Sequence, residues 1–202
     1  MNNEALEQTV DRVFRRLFVP LEASGRHVHV TKEQAAILFG HELTPRRPLS
    51  QPGQYLAQER VTLRGPKGEM ENVAVLGPER KAAQVEISLT DGRALGIDPP
   101  VRLSGSVLGS PGAQLIGPKG SIRLEEGVIC AQRHIHMTLE DAKNMGLKDK
   151  QSVKLKVYTG RPVIFEDVVV RVSRDFETFV HLDYDEANAC GFENGDFGRI
   201  LP

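Results

Sequence analysis

Two decapeptides carry most of the chemistry this sequence can offer. Arg26-His27-Val28-His29-Val30-Thr31-Lys32-Glu33-Gln34-Ala35 returns as Arg133-His134-Ile135-His136-Met137-Thr138-Leu139-Glu140-Asp141-Ala142, identical at six of ten positions and 107 residues later. That offset is about half the chain and marks a duplicated unit. In each copy a His-x-His lies among apolar, β-branched residues, so the two-residue period of a strand turns both imidazoles to one face. Two adjacent imidazoles make a metal pincer, and each pincer needs further ligands. The arginine ahead of each pincer, Arg26 or Arg133, falls on the opposite face and is expected to make structural or oligomer contacts. Thr31 with Gln34 fits a helix capping box, and Thr138 with Asp141 is a weaker version. Each copy therefore reads as strand, tight turn, helix.

Two histidines lie outside the pincers, and one carboxylate stands out. His181, in Phe179-Val180-His181-Leu182, is a lone polar residue in an apolar run; it is either a satisfied core histidine or a further ligand. His41, between Gly40 and Glu42, reads as an exposed loop residue. In Val85-Glu86-Ile87-Ser88-Leu89 the alternation places Gln84, Glu86 and Ser88 on one side of a strand, with Glu86 either facing solvent or serving as a carboxylate ligand. Five histidines and one carboxylate would give two metals three protein ligands each. Open coordination positions of that kind belong to catalytic rather than structural sites.

The elements that must position these groups are short. Residues Asn3 to Phe18 form an amphipathic helix, with Leu6, Val10, Val13, Phe14 and Leu17 on one face and Glu4, Glu7, Asp11, Arg12 and Arg15 opposite, ended by Pro20. Such a helix packs on its own domain, on a second subunit, or in the groove of a partner. After Pro20 come brief alternating runs, among them Val61-Thr62-Leu63, Val73-Ala74-Val75, Val101 to Val107, Ser121 to Leu124, Val153 to Val157 and Val168 to Val172. The turn Gly65-Pro66-Lys67-Gly68 recurs as Gly117-Pro118-Lys119-Gly120, which is hairpin chemistry. Four short helices, Glu33 to Gly40, Asp91 to Gly96, Asp141 to Gly146 and Asp185 to Gly191, each stop at glycine.

Composition bounds the function. The chain has 202 residues, 40% hydrophobic and 26% charged, with 26 Lys+Arg against 27 Asp+Glu, 19 Gly, 12 Pro and no Trp. A net charge of −1 supplies no basic field for nucleic acid or for an anionic membrane. No apolar stretch approaches the ~18 residues that cross a bilayer, and Met1 to Phe18 lacks the layout of a secretion signal, so a cytosolic chain is expected. Cys130 and Cys190 are too few for a disulfide framework, and neither has the electropositive setting of a nucleophile.

The spacing His27, His29, Glu33, Gly40 also fits the first motif of cupins, which would make the chain a two-copy metal-dependent oxygenase or isomerase. The Thr31 cap and the helical run after it turn Glu33 away from the pincer. A non-enzymatic metal-binding protein would explain the duplicated pincers too, though not open coordination positions.

The motifs taken together resemble the PduL-type phosphate acyltransferases, the phosphate propanoyltransferases. The resemblance runs through Arg26-His27-Val28-His29, Leu43-Thr44-Pro45, Leu49-Ser50-Gln51-Pro52-Gly53-Gln54, Val75-Leu76-Gly77-Pro78, Val85-Glu86-Ile87-Ser88, Leu95-Gly96-Ile97, Arg102-Leu103-Ser104-Gly105 and Arg133-His134-Ile135-His136-Met137, in order over nearly the whole chain after Pro20. It implies a mainly β protein of two small β-barrels capped by short α-helices and preceded by the amphipathic helix. Residues 1–18 would be that helix, 26–131 one barrel, and 132–202 plus about 19–25 the other. It implies that His27, His29 and Glu86 hold one Zn2+ and His134, His136 and His181 a second. Arg80 matches the family's phosphate-binding arginine, and a guanidinium fork suits phosphate. Coenzyme A contacts carry over to Ala23, Ser24, Gly25, Lys67 and Asn188. The implied reaction joins acyl-CoA and phosphate to acyl phosphate and CoA, with a propanoyl or acetyl chain. The implied assembly is a homodimer or larger, with the N-terminal helix directing it to shell or cargo proteins in the lumen of a bacterial microcompartment.

Overall fold

The computed structural model describes Asn3 to Leu201, without the side chains of Asn3, Asp11, Arg12 and Arg15. Met1, Asn2 and Pro202, the outermost residues of the expected 1–18 and 132–202 segments, lie outside the described residues, as do three of the five charged side chains of the helix's polar face.

In chain order the first half comprises α1 (Asn3–Leu17), β1 (Val19–Ala23), β2 (His27–His29), α2 (Lys32–Phe39), β3 (Pro45–Pro48), β4 (Tyr55–Arg64), β5 (Glu69–Gly77), β6 (Gln84–Glu86) and α3 (Leu89–Leu95). Next come β7 (Val101–Arg102), β8 (Ala113–Ile116), β9 (Ser121–Leu124), β10 (Val128–Ala131), β11 (His134–Met137) and α4 (Leu139–Met145). The chain finishes with β12 (Ser152–Tyr158), β13 (Ile164–Val172), β14 (Phe179–Leu182), α5 (Tyr184–Cys190) and β15 (Phe197–Leu201). The protein is mainly β, as the sequence predicts. No helix among the described residues is long and apolar enough to cross a membrane.

Two compact units divide these elements. One gathers Met1–Ala23, Arg133–Leu182 and Glu186–Pro202; the other gathers Ser24–Gln132 and Asp183–Asp185. The first is built on a closed barrel, β1-β14-β11-β13-β12-β15. Val19, Leu21, Ile135, Met137, Val168, Val170, Val180 and Leu182 fill its core. The second is a curled half-barrel sheet, β7-β10-β6-β2-β5-β4-β8-β9 with β3 on β4, whose core holds Val28, Val30, Val75, Val85, Ile87 and Leu115. Each such side chain contributes about 1.5–3 kcal/mol by leaving water. Because strands alternate, the core-facing valines and isoleucines dictate that their neighbours His27, His29, Glu86, His134, His136 and His181 face the other way.

The sequence repeat is a repeat of topology. In one unit β2 runs parallel to β5 and antiparallel to β6; in the other β11 runs parallel to β13 and antiparallel to β14. The strand that precedes each pincer belongs to the sheet of the opposite half. Thus β1 pairs with β14, whereas β10 pairs with β6, both in parallel.

The helices begin one or two residues earlier than the glycine-terminated patterns indicate, because the caps do. Thr31 and Gln34 complete a capping box, and Ser88 and Asp91 form a second one, hidden in the sequence inside a strand-like run. Thr138 accepts from the backbone N–H of Asp141, but the Asp141 carboxylate turns to Thr178 instead of closing the box. The run Val101 to Val107 is strand only at Val101–Arg102 and then turns through Gly105, at φ 97°. Both Gly-Pro-Lys-Gly segments are hairpin turns, joining β4 to β5 and β8 to β9. Each also docks on a helix end: Lys67 N donates to Leu95 O and Lys119 N to Leu38 O. A Cβ at Gly65 or Gly117 would lie 2.3 or 2.4 Å from those same carbonyl oxygens, so only glycine allows the approach.

Two candidate metal centres

The first group is His27, His29 and Glu86, each with a ligand atom within 4.8 Å of the others'. His27 pairs directly with Glu86 across the antiparallel β2–β6 ladder, with Nε2 3.6 Å from Glu86 Oε2. The three residues are 5%, 2% and 8% exposed, so Glu86 is a buried strand residue and not a solvent-facing one. The outer nitrogen of each imidazole is occupied. His27 Nδ1 donates to Gly25 O at 2.7 Å and His29 Nδ1 to Leu76 O at 3.2 Å. A carbonyl accepts only from N–H, so the proton of each neutral ring sits on Nδ1 and Nε2 carries the lone pair with which an imidazole binds a metal. Burial, then the neighbouring His27 and Arg80, push His29 well below the ordinary imidazole range, so it is neutral at physiological pH.

Gly25 has a defined place in this construction. Its carbonyl holds His27, and a Cβ on it would sit 2.3 Å from the Tyr184 ring. Arg26 points away from the imidazoles into a two-point bond with the buried Asp91, at 2.7 and 3.0 Å, and lies over the Tyr184 ring. Sequence reasoning missed Asp91, although the spacing Ser88-x-x-Asp91 carries the capping signal.

The second group is His134, His136 and His181, again within 4.8 Å of one another. His134 pairs directly with His181 across the antiparallel β11–β14 ladder, as His27 does with Glu86. Ring centroids lie 4.6 to 5.0 Å apart. His181 Nδ1 is 3.5 Å from Glu22 Oε2, a carboxylate that sequence reasoning missed because it comes from β1, far away in the chain. His136 stacks on Phe176 at 4.0 Å, and burial, then His134, His181 and Arg171, push it down to about 2. Both ring nitrogens of His136 are buried without a hydrogen-bond partner. An imidazole so placed costs about 1–3 kcal/mol in lost hydration, which a bound cation would offset. Three converging imidazoles therefore suit a metal, and so does the His27 group with its carboxylate. Arg133, like Arg26, serves structure: it bonds Glu186 and the carbonyl of Glu166, each at 2.7 Å.

The remaining sequence candidates are placed as follows. Arg80 is half-buried on the loop between β5 and β6, where its charge acts on His29. Ala23 ends β1, and Ser24 and Gly25 lead from it to His27. Lys67 is exposed at its hairpin turn, its stem against Gly96, and Asn188 is exposed on α5; neither joins a ligand group. Glu33 is exposed in the first turn of α2, and Glu86 is the carboxylate beside the pincer, which overturns the cupin-like pattern. His41 is exposed, as expected. Cys130 and Cys190 are buried, and burial pushes the Cys190 thiol up.

Comparison with known proteins bears on nearly the whole chain. A family model described as phosphate propanoyltransferase matches residues 20–193. A phosphate propanoyltransferase of Listeria monocytogenes is 52% identical over 100% of this chain and 97% of its own. That of Clostridioides difficile is 48% identical over 98% and 96%, and that of Thermotoga maritima 54% over 88% and 86%.

Proposed function

We propose, since this chain belongs to the phosphate propanoyltransferase family, that its two ligand groups hold zinc and that its acyl substrate is propanoyl-CoA, with acetyl-CoA as a second. The chain is an acyltransferase, working between acyl-CoA and phosphate. The observation that carries the finer reading is the pair of three-ligand groups at matching strand positions, one of them with Arg80 close enough to act on His29. Two imidazoles with a carboxylate, and three imidazoles, are both ligand sets of catalytic zinc, which keeps positions open for substrate.

Bound metal would supply Lewis acidity, to a thioester carbonyl oxygen or to a departing thiolate. The chain's own groups do the rest. Arg80 receives hydrogen phosphate in its planar fork and presents one oxygen to the thioester carbon. The new C–O bond forms as the C–S bond breaks, sulfur leaves with the electron pair, and the proton brought by hydrogen phosphate ends on the thiol. No outside acid or base is consumed. Neither buried cysteine is needed as a nucleophile. Ala23, Ser24, Gly25, Lys67 and Asn188 are the proposed coenzyme A contacts, with Lys67 offering a cation to a CoA phosphate.

The test is release of free thiol from propanoyl-CoA. Release is expected to require phosphate, to disappear after chelation and to return with zinc. Thiol release that ignores chelation would overturn the metal reading, and no release from a metal-loaded sample would overturn the substrate.

The N-terminal helix supports a further part of this proposal. Leu6, Val10, Val13 and Leu17 are 46–57% exposed, so the apolar stripe is largely uncovered, although Phe14 meets Phe18 and Phe197. It is proposed as the segment that docks on microcompartment shell or cargo proteins, on an enzyme that is itself a homodimer or larger. Deleting residues 1–18 should end co-purification with shell proteins while turnover and the oligomer's mass by light scattering persist. Undiminished co-purification would remove this role.

A further inference from the structure

Glu86 is braced by a residue of its own strand, and the brace decides which carboxylate oxygen faces the imidazoles. Gln84 lies two positions earlier on β6, on the same face, and is 3% exposed. Its Oε1 accepts from Gly105 N–H at 2.7 Å, while its Nε2 donates to Ser104 Oγ at 2.8 Å and to Glu86 Oε1. These bonds admit one amide orientation. With oxygen and nitrogen exchanged, NH2 would meet an N–H and the carbonyl would meet a carboxylate. Glu86 Oε1 is thereby engaged, and Oε2 is the oxygen turned to His27 Nε2.

We propose that Gln84 is a positioning residue that makes Glu86 a one-oxygen metal ligand, anchored through the Ser104–Gly105 turn. The other half of the chain shows that this brace goes with the carboxylate. Gln84 pairs with His29 across β2–β6, and the equivalent partner of His136 across β11–β14 is Phe179, which has no hydrogen-bonding side chain. There the third ligand is an imidazole, and its outer nitrogen has a carboxylate, Glu22, beside it instead. Neutral amide behind carboxylate, and carboxylate behind imidazole, are complementary ways of orienting a ligand and tuning its basicity. Strand alternation alone puts Gln84 and Glu86 on one face; the amide's role needs the turn at Gly105, which no local pattern announces.

This inference rests on the metal reading above, so its test reads metal and not turnover. The full chain is stripped and titrated with zinc against a chromogenic chelator. Wild type is expected to hold two equivalents. Gln84→Met, of similar volume but without the donor, should weaken one equivalent by about 10- to 100-fold and leave the other unchanged, which also reports an intact fold. In a Glu86→His background no carboxylate remains to brace, so adding Gln84→Met should change nothing further. Two unaltered equivalents in Gln84→Met, an equal loss from both, or the same loss in both backgrounds would each overturn the positioning role while leaving the zinc reading intact. A wild type that takes up no zinc overturns both.

Discussion

His29→Ala should lower turnover of propanoyl-CoA with phosphate by about three orders of magnitude and remove one of two bound metal equivalents. The expectation follows from how fully this imidazole is committed. It is 2% exposed, its Nδ1 is engaged by the Leu76 carbonyl, and burial together with His27 and Arg80 holds it neutral. An alanine leaves His27 and Glu86, two ligands where catalytic sites use three. The His134 group lies in the other unit, so one equivalent should survive and serve as the internal standard for folding. Thiol release and metal content on the same sample decide it; a variant that keeps both would sink the ligand assignment.

The second large effect is expected at Arg80. Arg80→Ala should raise KM for phosphate by about 100-fold with little change in KM for propanoyl-CoA, the scale for removing a charge-assisted contact to a buried anion. Arg80→Lys should recover only part of the loss, because a point charge cannot reproduce the two-pronged geometry. A phosphate dependence that does not move in either variant would take Arg80 out of phosphate binding. The separation of the two KM values matters, since a general disturbance of the nearby His29 would depress kcat without choosing between substrates.

How much of this was legible in the sequence depends on the distance over which each feature is encoded. The pincers are local: a strand period and a capping threonine suffice, and His27-Val28-His29 and His134-Ile135-His136-Met137 are strands. The third ligands are not local. Glu86 and His181 each stand opposite the first histidine of a pincer only because of strand register, which resemblance to a family could suggest and periodicity could not. Glu22 and Gln84 were harder still, because an orienting contact has no sequence signature of its own. Val101 to Val107 misled for the opposite reason, since its apolar residues alternate well enough for a strand but glycine at positive φ ends the pairing. In α1 the stripe was visible, yet amphipathicity alone does not say whether a face is covered, and Leu6, Val10 and Leu17 are left largely bare.

The crossing of β1 into the barrel has a consequence for how the chain is made. During synthesis Val19–Ala23 emerges long before its neighbours in the barrel, Phe179–Leu182 and Phe197–Leu201. Strands joined at such separation close slowly, and in the interval the early one is an open edge available to any other nascent chain. Its composition answers that hazard. Pro20 withholds one backbone donor and Glu22 adds a charge, two features that discourage misplaced strand addition. Glu22 thus has a second employment: before it comes to lie beside His181, it is a gatekeeper on the ribosome.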